Sequence, residues 1–198
     1  MIKKYLLVGA MIVFVATLNA WAKLPVIAPE RWVEVSGEIT QESAHTIVKS
    51  LLDLDAKLDP SPIGIRISSP GGSLFAVLAV CDVIKNLKHE VITVGIGQIV
   101  SGGVLILSSG TKRYLSKHCM VMLHPPSLAI RDWEPSFSEF QEFSQTLTKI
   151  ENQMYSVLAE NTGKTAAEIK EEFQKEKWFT AEEAIANGLA DELLESAR

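Results

Sequence analysis

Ile63-Gly-Ile-Arg-Ile-Ser-Ser-Pro-Gly-Gly72 reads as a strand that runs into a turn. Ile63, Ile65 and Ile67 alternate with smaller or polar residues, the period of a pleated segment, and Pro70-Gly71-Gly72 stops it. From Ser73 to about Leu87 the apolar residues Val77, Val80, Ile84 and Leu87 recur every three or four positions, which predicts a helix. Val91 to Gly95 is a second buried strand. Strand, helix and strand in succession predict a parallel pair with a crossover helix, and this decides the fold class.

The alternation continues on both sides. Upstream, Arg31 to Ser36 reads as a strand, and Thr40 caps a helix to about Leu54 that Asp59-Pro60-Ser61-Pro62 breaks. Downstream, Ser101 opens a short apolar segment, Val104 to Leu107, and Arg113 to Leu115 and Met120 to Leu123 read as strands. Phe137, Phe140, Phe143, Leu147, Ile150, Met154 and Val157 keep helical spacing, so a long amphipathic helix is expected over 137–160, ended by Thr162-Gly163. Thr165 to Lys175 and Thr180 to Asn187 predict two shorter helices. The expectation is an α/β domain with a mostly parallel sheet, and the short links leave no room for a second domain.

The first 22 residues read as an export signal. Lys3 and Lys4 form a positive start, Tyr5 to Leu18 is almost wholly apolar, and Ala20-Trp21-Ala22 offers small residues for cleavage after Ala22. The alternative is a retained N-terminal anchor, for which the apolar run is short. Cleavage leaves residues 23–198 as one domain and, by removing two lysines, takes the net charge from −5 to −7. An acidic chain without a basic tract gives no reason to expect nucleic-acid binding. Cys81 and Cys119 could form one disulfide in an exported protein or be two small buried residues; their spacing fits no zinc site, and no metal or cofactor is expected.

Three patches carry chemistry: Ser68-Ser-Pro-Gly-Gly72, Gly97-Gln-Ile-Val-Ser-Gly-Gly103 and Met122-Leu-His-Pro-Pro126. A serine hydroxyl is a weak nucleophile until a base takes its proton and a third group orients that base. Ser101 follows a strand and precedes glycines, although Ile99 stands where the hydrolase elbow G-x-S-x-G has its first glycine; by itself Ser101 would be a helix cap or a turn residue. Among the four histidines, His45 falls in a helix, His89 in a polar turn and His118 in a basic stretch. His124 ends an apolar strand and is held by two prolines, which suits a fixed general base or a structural residue.

These segments, taken in order, resemble the proteolytic subunit of the Clp protease family. The family has a strand ending in Ser-Pro-Gly-Gly and a helix with Tyr-Asp, here Cys81-Asp82. A Gly-Gln-x-x-Ser-x-Gly turn and a Met-Ile-His-Gln-Pro strand end follow. The Thr180-Ala181-Glu-Glu-Ala184 to Gly188-Leu189-Ala190-Asp191 piece matches too, and the similarity runs from about Arg31 to Leu194. The resemblance implies the Clp-protease/crotonase-like fold, a repeated β-β-α spiral with a long protruding helix. It implies Ser101 as nucleophile, His124 as general base, and the N–H groups of Gly72 and Gly102 as oxyanion hole. The family's acidic member is an aspartate, and the matching position here is Glu176, with Glu172 one helical turn earlier as a substitute.

Departures from the family accompany that exchange. The glycine-rich strand that pairs with substrate in the family corresponds to Ser127-Leu-Ala-Ile-Arg-Asp-Trp133, which has no glycine. Only Lys23 to Glu30 precede the first shared strand, so the family's N-terminal helix and axial gating loops are missing, and Gly102 replaces a bulkier residue. The sequence expectation is a periplasmic or secreted, ATP-independent serine peptidase acting on peptides or unfolded proteins. It would be a homo-oligomer, without an ATPase partner and at a membrane only if the signal is retained. A non-catalytic scaffold or peptide-binding relative is the alternative. An acyl-CoA enzyme of the crotonase type fits the Gly-Gln-x-x-Ser turn poorly, and a Ser–Lys signal-peptide peptidase would need lysine where His124 stands.

Overall fold

The computed structural model describes residues 21–22, 25–126 and 135–194. An eight-stranded sheet runs through it. The strands are β1 (Trp21–Ala22), β2 (Trp32–Ser36), β3 (Ile63–Ser69), β4 (Val91–Val100), β5 (Lys112–Leu115), β6 (Met120–Leu123), β7 (Lys177–Phe179) and β8 (Glu192–Leu194). Their order is β1-β8-β5-β4-β3-β2, with β6 paired to β4 and β7 paired to β6. Every pairing is parallel except β6 with β7, in keeping with the expected α/β class.

Six helices connect the strands: α1 (Gln41–Asp55), α2 (Leu74–Asn86), α3 (Gly102–Ser108), α4 (Phe137–Thr162), α5 (Ala166–Glu172) and α6 (Ala181–Ala186). Their starts follow from capping chemistry. Thr40, Ser136, Thr165 and Thr180 each accept the N–H of the residue three positions on, and that residue's side chain accepts the cap's own N–H. Gly163 closes α4 in the left-handed conformation, at φ +71°.

The side chains of β2–β4 that face α1, α2 and α3 form the main core: Val33, Val35, Ile63, Ile65, Ile67 and Ile99 pack with Ile47, Leu51, Val77, Val80 and Leu105. On the opposite face Ile92, Val94 and Tyr114 are buried under Ile27, Trp32 and Leu194. The chain between β1 and β2 therefore passes from one edge of the sheet to the other. Trp32 lies over Gly64 so closely that a Cβ there would meet its ring at 2.4 Å, and Arg66 stacks on the same ring at 4.4 Å from its centroid.

β4 is longer than its sequence pattern predicts. Its first half pairs with β5 (Ile92–Gly95 with Lys112–Leu115) and its second half with β6 (Gln98–Val100 with Met120–Met122). Between the halves its register to β3 shifts, from Ile67 opposite Gly95 to Ser69 opposite Ile99. Gly97, at φ +71°, takes up this irregularity, so a turn-like glycine sits inside a continuous strand. β7 and β8, three residues each, give no periodic signal and were absent from the sequence expectation. Helix α5 ends at Glu172 rather than near Lys175, where the chain turns into β7.

Only the last third of α4 is anchored: Met154, Tyr155 and Leu158 are buried, while Phe137 is 77% and Phe140 55% exposed. Cys81 and Cys119 are both free and buried, and burial raises their thiols to about 12 and about 11. The expected glycine-free segment 127–133 lies outside the described residues, as do residues 1–20 of the signal; its last two residues, Trp21 and Ala22, form β1, so cleavage after Ala22 would remove that strand and leave β8 at the edge of the sheet.

Candidate active site

β4 ends at Val100 and α3 begins at Gly102, so Ser101 is the one residue on which strand becomes helix. It sits at φ +54°, ψ −121°, the one non-glycine residue with positive φ among those described. A residue with a Cβ resists that conformation. Its N–H donates to the Met122 carbonyl at 2.7 Å, and its carbonyl accepts from Val104 N–H at 3.0 Å. A strained serine between strand and helix is the geometry that lifts a nucleophile clear of its sheet, here without the first glycine of the usual elbow.

The turn after β3 abuts this serine. A Cβ on Gly71 would lie 2.7 Å from the Ser101 Cβ, and one on Gly72 would lie 2.2 Å from the Ile39 carbonyl oxygen. Both positions must be glycine for the turn to fit. The amides on either side of Gly72 are engaged: Gly71 N–H donates to Ser69 Oγ at 3.0 Å, and Ser73 N–H to the Ile39 carbonyl at 2.8 Å. The N–H of Gly72 meets no acceptor among the described residues, and that of Gly102, the first residue of α3, has no intrahelical one. A Cβ on Gly102 would come 2.5 Å from Val77 Cγ2, so the space left by the missing side chain is filled from α2.

His124 follows β6 and is half-buried. Its Nδ1 lies 2.6 Å from the Pro125 carbonyl oxygen, which can only accept, so Nδ1 carries the hydrogen. In the neutral ring Nε2 then keeps the lone pair that a general base needs. Ser101, His124, Gly72 and Gly102 all line one cavity of about 490 Å³. Its other walls are apolar: Leu74 and Phe75 from α2, Leu105 from α3, and Leu147, Ile150 and Met154 from α4. His124 is the one ionisable side chain among the described residues lining it.

Neither candidate carboxylate meets the imidazole in this arrangement. Glu176 is exposed and accepts from the Trp178 indole N–H at 2.8 Å. Its backbone is well placed nonetheless. β6 and β7 pair Val121 with Phe179, Met122 with Trp178 and Leu123 with Lys177, so the next pair along that register is His124 with Glu176. Glu172 is held elsewhere, accepting from Lys164 Nζ at 2.6 Å and Lys177 Nζ at 2.9 Å. Burial works to raise its carboxyl, but the two ammonium groups outweigh that and hold it below its ordinary value. The apolar wall from α4 escaped the sequence reading, which recognised the stripe Leu147, Ile150, Met154 as helix but had no means of aiming it at Ser101.

The Clp protease family model matches residues 19–197. The ATP-dependent Clp protease proteolytic subunit 2 of Chlamydia trachomatis is 37% identical over 171 residues, covering 85% of this chain and 83% of that protein. Subunit 1 of Leifsonia xyli is 32% identical over 170 residues, 85% of each chain, and subunit 2 of Bifidobacterium longum is 32% identical over 195 residues, 89% of this chain and 93% of that one. With the family model spanning residues 19–197 and relatives at 32–37% identity over about 85% of the sequence, the chain belongs to the Clp protease family, a family of peptidases.

Proposed function

We propose that this protein is an exported serine endopeptidase that hydrolyses peptides or unfolded chains without an ATP-driven partner. The observation that carries the reading is the convergence of Ser101, His124, Gly72 and Gly102 on one apolar cavity. In this mechanism His124 Nε2 takes the Ser101 hydroxyl proton as Oγ attacks the scissile carbonyl. The amides of Gly72 and Gly102 receive the oxyanion that develops, and His124 gives the proton to the amine as it leaves; a water that His124 deprotonates then attacks the acyl-serine ester, and the acid departs as the proton returns to Ser101 Oγ. Each such amide is typically worth about a hundredfold to a thousandfold in rate.

Glu176 is the third member in this proposal. Its place opposite His124 along the β6–β7 register supports the role, which requires its carboxylate to leave the Trp178 indole. The export signal supports an extracytoplasmic site, where ATP is not expected. The uncovered Phe137 and Phe140 on α4 support assembly of like chains, since exposed aromatic surface of this kind is stabilised by burial.

A scaffold role is the second reading, favoured by the hydrogen bond of His124 Nδ1 to a neutral carbonyl in place of a carboxylate. Fluorophosphonate labelling of the purified protein beside its Ser101→Ala variant separates the two. Modification located at Ser101 by mass spectrometry is the expected result. Absence of labelling in a folded, assembled protein would favour the scaffold.

A further inference from the structure

Two hydrogen bonds stand where a catalytic triad would have one. His124 Nδ1–H donates to the Pro125 carbonyl at 2.6 Å, and the Trp178 indole N–H donates to Glu176 Oε1 at 2.8 Å. The pleat explains why these groups compete. Residues two apart on a strand share a face, and residues directly opposite in an antiparallel pair share it too. Trp178 lies opposite Met122, so Glu176, one step further along that register, falls on the face of Trp178 and opposite His124. The other face of β7 is committed elsewhere: Phe179 is buried in the core, and Lys177 donates to Glu172. Glu176 therefore has two donors on its own face, the indole along its strand and the imidazole across from it, and it takes the indole.

Resting on the peptidase reading above, we propose that Trp178 is a positioning residue that withholds the Glu176 carboxylate from His124, so that only molecules in which this bond has opened hold a complete triad. Trp178 acts through Glu176 and is not among the residues that line the cavity. The restraint is mild. Glu176 is exposed and Trp178 is 51% exposed, so water replaces each partner when the bond opens. A hydrogen bond of that kind shifts an equilibrium by about threefold to tenfold. Turnover then scales with the fraction of molecules in the open arrangement, whereas substrate binding, which the cavity walls supply, does not.

The test is steady-state hydrolysis of dye-labelled casein, an unfolded chain, by the full protein and by Trp178→Phe, which keeps an aromatic ring but lacks the N–H. The kcat is expected to rise about threefold to tenfold with KM unchanged, and fluorophosphonate labelling of Ser101 to quicken with it. Trp178→Leu also lacks the donor and is expected to show the same rise. In a Glu176→Gln background both substitutions are expected to change nothing, because no carboxylate remains to be released. No rise in either Trp178 variant would overturn the proposal, as would an equal rise in the Glu176→Gln background. A change of assembly size would assign Trp178 to a contact between copies and overturn it too. Labelling of Ser101 in the unaltered protein keeps the two levels apart. Labelling without a rise in the variants defeats the role of Trp178 alone, whereas no labelling and no cleavage defeat the peptidase reading and this proposal with it.

Discussion

Two histidines stand at the two ends of β4 and are used in opposite ways. His89 lies two residues before the strand begins; its Nδ1 is 2.8 Å from Asp55 Oδ1 and its Nε2 is 2.7 Å from the Asp59 carbonyl oxygen. Asp55 Oδ1 also accepts the N–H groups of Lys88 and His89, at 2.9 and 3.1 Å. Both partners of the ring can only accept. His124 faces the other end of the strand, has one nitrogen on a carbonyl and keeps the second open to a cavity with a strained serine. A histidine–aspartate pair is thus the more visible catalytic emblem, yet neither residue lines the cavity that holds Ser101. Ligand sites in parallel sheets gather at the carboxyl ends of the strands, and the amino ends here are closed by a polar clasp.

The largest expected effect is at the open end. Ser101→Ala should abolish peptide hydrolysis, and His124→Ala should come close, each with the fold intact by circular dichroism. Full activity in either would break the contrast. Glu176→Gln should lower turnover by up to about 10⁴-fold if its carboxylate orients His124, and steady-state kinetics measures it directly. An unchanged rate would mean that the Pro125 carbonyl alone fixes the tautomer.

At the closed end the expected losses are of stability. His89→Ala leaves the Asp55 carboxylate without its ring partner and should cost about 1–3 kcal/mol by chemical denaturation, with kcat/KM unchanged where the protein is folded. A fall in kcat/KM like that of His124→Ala would erase the distinction between the two ends. The smallest effect is acid sensitivity. The hydrogen bond from His89 holds the Asp55 carboxyl below its ordinary 3.8 against the opposing pull of burial, with the backbone N–H groups of His89 and Lys88 adding to it. A carboxyl depressed on folding stabilises above its unfolded value and loses that contribution as pH falls through the folded one. The melting temperature should therefore drop below about pH 4, and less so in Asp55→Asn.

Local chemistry explains how much of this was legible in sequence. The cap at Thr40, the stop at Gly163 and the alternation of Ile63, Ile65 and Ile67 are each decided within a few residues, and the structure has them where the pattern puts them. Ser101, His124, Gly72 and Gly102 were found through ordered motifs, and the sheet brings them to one cavity. What the sequence hid was decided at a distance. β7 is a strand because β6 is beside it, β4 continues past Gly97 because β6 takes over where β5 ends, and Val77 matters to the site because Gly102 leaves it room. The same holds for Arg31, read as the start of a strand. It precedes one as part of a short 3₁₀ turn, with its guanidinium buried against the carbonyls of Ser61 and Pro62.

The placing of β8 between β5 and β1 has a consequence for the order of assembly. Residues 192–194 follow every other described strand in chain order, yet they pair with β5 and β1 and put Leu193 into the core. A growing chain carries its serine, its histidine and both glycine turns long before it owns the strand that closes β5, and before β7 can brace β6. A chain that stops short of Glu192 leaves β5 as a raw edge open to any extended segment nearby. The last of the described strands in chain order therefore marks the point at which this sheet is complete.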